Sequence, residues 1–103
     1  MEATIQYFGD CPSWHVLDEC LHAAAAQVGV PVAVSYEVID TRAKAEAAGF
    51  RGSPTILIDG RDPFEDPSLQ VGLSCRLYRT PEGLQGSPTT AQLVAALERA
   101  GRA

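Results

Sequence analysis

The chain has 103 residues, enough for one hydrophobic core and too few for two, so residues 1–103 read as a single domain. Hydrophobic residues make up 46% and charged residues 20%, an ordinary globular balance that argues against disorder. The formal net charge of -5, with no basic cluster anywhere, argues against a phosphate-backbone partner, and no nucleic acid is expected.

Thr4 to Phe8 is short and β-prone and suits an interior strand. From Trp14 to Val28 apolar residues recur at Leu17, Leu21, Ala24 and Val28, the spacing of one helix face, with Cys20 beside it. Ser13 can cap that helix, Gly29 can close it, and Pro31 prevents its continuation. Gly29 and Pro31 also interrupt the apolar stretch from His22 to Tyr36, so no membrane span is expected. The opening Met1-Glu2-Ala3 lacks the basic start and apolar run of an export signal, so a cytoplasmic location with reduced cysteines is the expectation.

Val32 to Ile39 is rich in branched residues and predicts a second strand. Asp40 or Thr41 then caps a short helix, Arg42 to Ala48, stopped by Gly49. Strand, helix, strand, helix implies a parallel βαβ unit with a right-handed crossover. Ile56 to Ile58 predicts a third strand, with Pro54 at its allowed edge position and Asp59-Gly60 as a turn. Arg61 to Gly72, with Pro63 and Pro67, reads as a surface loop longer than a hairpin needs. Leu73 to Tyr78 predicts a fourth strand, Thr80 to Gly86 a turn, and Ser87-Pro88 the start of a last helix whose apolar side is Leu93, Val94, Ala96 and Leu97.

The chemistry concentrates at Phe8-Gly9-Asp10-Cys11-Pro12-Ser13-Trp14-His15, where a strand gives way to a helix. Pro12 suits a first helical turn, whose N–H groups have no partner. The Cys11 sulfur then sits beside those N–H groups and the positive end of the helix dipole, a setting that favours thiolate over thiol. Asp10 opposes that effect. His15, one turn further on, is a candidate modulator as a cation or hydrogen-bond partner.

The element order β-α-β-α-β-β-α, with Cys11-Pro12 after the first strand and Ser53-Pro54-Thr55 opening the third, resembles the thioredoxin-like superfamily in its glutaredoxin-sized form. Two motifs carry the resemblance, Gly9-Asp10-Cys11-Pro12-Ser13-Trp14 and Gly52-Ser53-Pro54-Thr55 followed by Ile56-Leu57-Ile58-Asp59-Gly60. It covers nearly the whole chain and leaves the Arg61–Gly72 loop outside. It implies an α/β fold with a four-stranded mixed sheet flanked by helices, Cys11 as nucleophile and Pro54 as a cis-proline. Pro12, Ser13, Trp14, Ser53 and Pro54 would then line the substrate site. An antiparallel third strand places its start and the end of the first strand at one edge, so Pro54 should face Cys11. A cis bond would expose the Ser53 backbone to an extended substrate.

One departure decides the expected mechanism. The dithiol members of the superfamily carry a second cysteine where this chain has Trp14. Cys20 lies nine residues along the same helix, about 13 Å away by helical rise. Cys75, early in an antiparallel fourth strand, should lie about 13 Å from Pro54 by strand rise. A disulfide needs Cα atoms within roughly 7 Å. Both cysteines therefore read first as small core residues, and Cys75 as a possible resolving thiol only through movement of the preceding loop. What remains is a monothiol cycle in which Cys11 attacks a disulfide and an external small thiol resolves the mixed disulfide. The partner is a disulfide-bearing protein or a low-molecular-weight thiol, and no cofactor or metal is called for. Two alternatives stand beside it: a thioredoxin-like binding or regulatory domain without turnover, and soft-metal handling by Cys11 and His15.

Overall fold

The computed structural model describes residues 1–102. In chain order the elements are β1 (Glu2–Tyr7), α1 (Ser13–Val28), β2 (Ala33–Val38), α2 (Arg42–Ala48), β3 (Thr55–Ile58), β4 (Tyr78–Thr80), β5 (Gly83–Gln85) and α3 (Thr90–Gly101). β1 is central in a mixed sheet of order β2-β1-β3, parallel to β2 and antiparallel to β3. The architecture is therefore mixed α/β.

Alternation along β1 decides where the core lies. Ala3 and Ile5 point to one face and are fully buried, together with Ile56 and Ile58 of β3. Leu17, Leu21 and Ala24 of α1 and Leu93, Ala96 and Leu97 of α3 close over that face, so both helices pack on the same side of the sheet. Each fully buried leucine contributes about 1.5–3 kcal/mol by leaving water. The residues between them on β1 are polar and pair across the other face. Thr4 Oγ1 meets Ser35 Oγ at 3.0 Å, and Gln6 Nε2 donates to Glu37 Oε1 at 2.7 Å. A smaller apolar cluster of Ile39, Ala45 and Phe50, with Phe8 against it, anchors α2.

The helix ends follow local chemistry. Gly29 and Gly49 close α1 and α2 in the left-handed conformation, and the Thr41 side chain accepts from the Lys44 N–H at the start of α2. α1 differs from expectation. Ser13 is its first residue rather than its cap, Pro12 holds the N-cap position, and no side chain caps this end. α3 starts later than Ser87-Pro88, because Thr89 and Gln92 form a reciprocal capping box two residues on.

The expected four-stranded sheet does not form. The sheet holding β1 has three strands, and β4 and β5 make a separate two-stranded hairpin. After β3 the chain turns at Asp59-Gly60 and Arg61 comes straight back: Ile58 N–H donates to Arg61 O at 2.7 Å and Arg61 N–H to Ile58 O at 3.1 Å. Residues 73–77 do not run antiparallel along β3. Leu73 and Leu77 are 45% and 56% exposed, and Arg76 turns inward. The backbone of this irregular segment pairs instead in a parallel bridge between Cys75 and Ser53.

Candidate functional site

The site assembles where β1 ends and β3 begins. Past Tyr7 the chain makes a four-residue turn closed by the Cys11 N–H donating to Phe8 O at 3.1 Å. Phe8 N–H donates to the Ser53 Oγ at 3.3 Å, tying that turn to the residue before Pro54. Cys11 stands just before the N-cap Pro12 of α1, with its Sγ donating to the Ser53 carbonyl oxygen at 3.5 Å. The Ser53–Pro54 peptide bond is cis, and Pro54 is fully buried. Cys11, Ser53 and Pro54 therefore meet around one peptide unit.

The Ser53 backbone is engaged from the other side as well. Its N–H donates to Ser74 O at 2.8 Å and its carbonyl accepts the Arg76 N–H at 2.9 Å. A substrate strand expected at this position finds the chain's own residues 74–76 already in place. Cys75 stands between those two hydrogen bonds, directly opposite Ser53. The expected separation of about 13 Å between Cys75 and Pro54 by strand rise is thus overturned, because the segment crosses Ser53 as a parallel bridge instead of running antiparallel to β3.

Arg76 fixes the segment in that position. Its side chain is 2% exposed and forms an ion pair with Asp62 at 2.6 Å. The same guanidinium donates to Thr55 Oγ1 at 3.3 Å and to Phe64 O, and lies 4.6 Å from the centre of the Tyr78 ring. Tyr78 is buried, packs edge-on against Phe64 and donates its hydroxyl to Pro54 O. Burial pushes the Tyr78 phenol well above its ordinary range, with Arg76 pulling the other way, so it remains a hydrogen-bond donor. Gly52 completes the arrangement. Its φ of 125° is a left-handed value, and a Cβ there would stand 2.9 Å from Arg76 Cβ.

The other expected site residues are less tightly gathered. Pro12 is exposed beside Cys11, and Ser13 packs against Gly86, where a Cβ would collide with it. Trp14 is half-buried, stacked on Tyr7 at 4.2 Å between ring centres and edge-on to Tyr36 at 6.1 Å. His15 is exposed and lies over Trp14 at 3.9 Å. Cys20 is half-buried against the α1–α3 core. Among the described residues no three His, Cys, Asp or Glu side chains converge as a metal site. A cleft of about 770 Å³, lined by Gln6, Arg51, Thr55, Arg61 and Arg99 among others, does not include Cys11.

Sequence reasoning missed Asp62, Arg76 and Tyr78. The available signal was an arginine in the middle of an apolar segment, preceded by a loop rich in acids: a cation there must find an anion or leave the core.

Comparison of the chain with protein-family models, with curated proteins and with solved structures found no match. Among the described residues no helix is long and apolar enough to cross a membrane.

Proposed function

We propose that this protein is a thioredoxin-like thiol–disulfide oxidoreductase in which Cys11 is the nucleophile and an external thiol can close the cycle. The observation that carries this reading is the Cys11 Sγ, on the residue before the N-cap of α1, 3.5 Å from the carbonyl oxygen of the residue preceding Pro54. The cysteine directly precedes a helix start whose first N–H groups have no intrahelical partners and no side-chain cap. Attack on a disulfide forms a Cys11–S bond and expels a thiolate, and a low-molecular-weight thiol then displaces the protein. Pro12 and Trp14 border the sulfur in sequence, and His15 contributes from the next turn. Cytoplasmic operation, where small thiols are abundant, accords with this cycle.

A second reading is a thioredoxin-like binding or regulatory domain without turnover. Cys11 is 3% exposed, which favours it, because a nucleophile must reach its substrate. The test is reduction of a mixed glutathione–peptide disulfide by the wild-type chain and by Cys11→Ser. Loss of the reaction in Cys11→Ser is the expected result; equal rates would leave the binding domain as the better reading.

A further inference from the structure

We propose that Cys75 resolves Cys11 internally, forming a Cys11–Cys75 disulfide across Ser53; the proposal rests on Cys11 being the nucleophile and replaces the external resolving thiol. Cys11 Sγ lies 3.5 Å from the Ser53 carbonyl oxygen, and Cys75 is bridged directly to Ser53. Bridged strand residues have neighbouring chains about 4.8 Å apart, so both cysteines border one peptide unit. Residues directly opposite in a ladder project to the same face. Ser53 sends its Oγ toward the Phe8 N–H, the beginning of the turn that ends at Cys11, and by ladder geometry that is the side of its bridge partner Cys75.

The position of Cys75 does not depend on a mobile loop. Ser74 and Arg76 hydrogen-bond Ser53 on either side of it, and the buried Arg76–Asp62 ion pair ties the next residue to the preceding loop. Cys11 is buried and Cys75 exposed, so one thiol is sheltered in the fold and the other remains open to solvent.

The cycle balances. Cys11 thiolate attacks a disulfide R–S–S–R′; the Cys11–S–R bond forms, the S–S bond breaks, and R′S⁻ leaves with the electron pair and takes a proton. Cys75 thiolate, its proton given to solvent, attacks Cys11 Sγ. The Cys11–Cys75 bond forms, the Cys11–S–R bond breaks, and RS⁻ leaves and is protonated. The substrate gains two electrons and the protein is oxidised. Two equivalents of a low-molecular-weight thiol then reduce the internal disulfide and leave as their own disulfide.

The test uses the full chain carrying Cys20→Ser, exposed to glutathione disulfide and read by intact mass and non-reducing peptide mapping. The expected product has lost two hydrogens, holds no glutathione and links the Cys11 peptide to the Cys75 peptide. Adding Cys75→Ser, or Cys75→Ala as a second variant, should leave one glutathione on Cys11. A wild-type Cys75 that stays a free thiol while Cys11 retains glutathione would overturn internal resolution but keep Cys11 as nucleophile. Absence of any glutathione or disulfide on Cys11 in every variant would overturn both.

Discussion

Ser53 and Cys75 face each other in a parallel bridge, held by the Ser53 N–H on Ser74 O and the Arg76 N–H on Ser53 O. This pairing brings a segment remote in sequence onto the peptide unit that also receives the Cys11 sulfur. It makes residues 73–77 part of the site, although only Cys75 carries sulfur.

The first expectation concerns the fit behind the bridge. Gly52→Ala should destabilise the fold by about 1–3 kcal/mol, the range for a residue forced into a sparsely populated backbone conformation. The new Cβ would also meet Arg76 at 2.9 Å, so the effect should exceed that of an alanine at an open glycine such as Gly9. Urea unfolding midpoints of the two variants check this. Alkylation of Cys75 should also accelerate in Gly52→Ala as the bridge loosens.

Asp62→Ala should destabilise by about 3–5 kcal/mol, because removing one member of a buried ion pair leaves the other charge uncompensated. Arg76 has nowhere else to go, with its side chain 2% exposed and its Nε already without a hydrogen-bond partner. Removing the exposed Lys44–Asp40 pair should have a much smaller effect, because water and salt screen it. Chemical denaturation of both variants separates the two cases.

The pH dependence has a defined sign at Tyr36. Its hydroxyl donates to Asp18 Oδ1 at 2.6 Å, and that hydrogen bond to a carboxylate raises the phenol from 10.0 to about 12. The folded state therefore holds this proton longer than the unfolded chain does. The resulting stabilisation is fully present below pH 10 and is lost as pH rises through about 12. At 47% exposure the effect on stability is small, so the direct readout is phenolate absorbance. In Asp18→Asn the Tyr36 titration should move down toward its ordinary value.

On the acid side, Lys44 beside Asp40 holds that carboxyl below the usual range, first through its hydrogen bond and then through its charge. Its contribution is present above the ordinary carboxylate value and is lost as pH falls through the lowered one. Lys44→Met should return Asp40 to ordinary titration by NMR while leaving Asp66, lowered by Ser68, where it is.

Local signals explain which parts could be read in the sequence. Period-two alternation in β1, the apolar stripe of α1 and the Gly29 and Gly49 stops act within a few residues, so three helices and the first three strands were legible, with β1 and β2 parallel. That Pro54 should face Cys11 followed from the antiparallel third strand implied by the resemblance, and the Cys11 Sγ contact with Ser53 O lies at that place. Residues 73–77 misled because alternating Leu73, Cys75 and Leu77 imitate a strand. Their position is set by Arg76 reaching Asp62, fourteen residues away, and by Arg61 returning to Ile58, which no periodicity encodes. The same long-range contacts hid the placement of Cys75.

The most direct test of the central claim is the rate at which Cys11 exchanges with glutathione disulfide in the folded chain carrying Cys20→Ser and Cys75→Ser, compared with the rate of global unfolding. Exchange well above the unfolding rate, with glutathione mapped to Cys11, is the expected result, because a working nucleophile must be reached from the native state. Modification that merely keeps pace with unfolding would show Cys11 to be a packing residue and contradict the redox account.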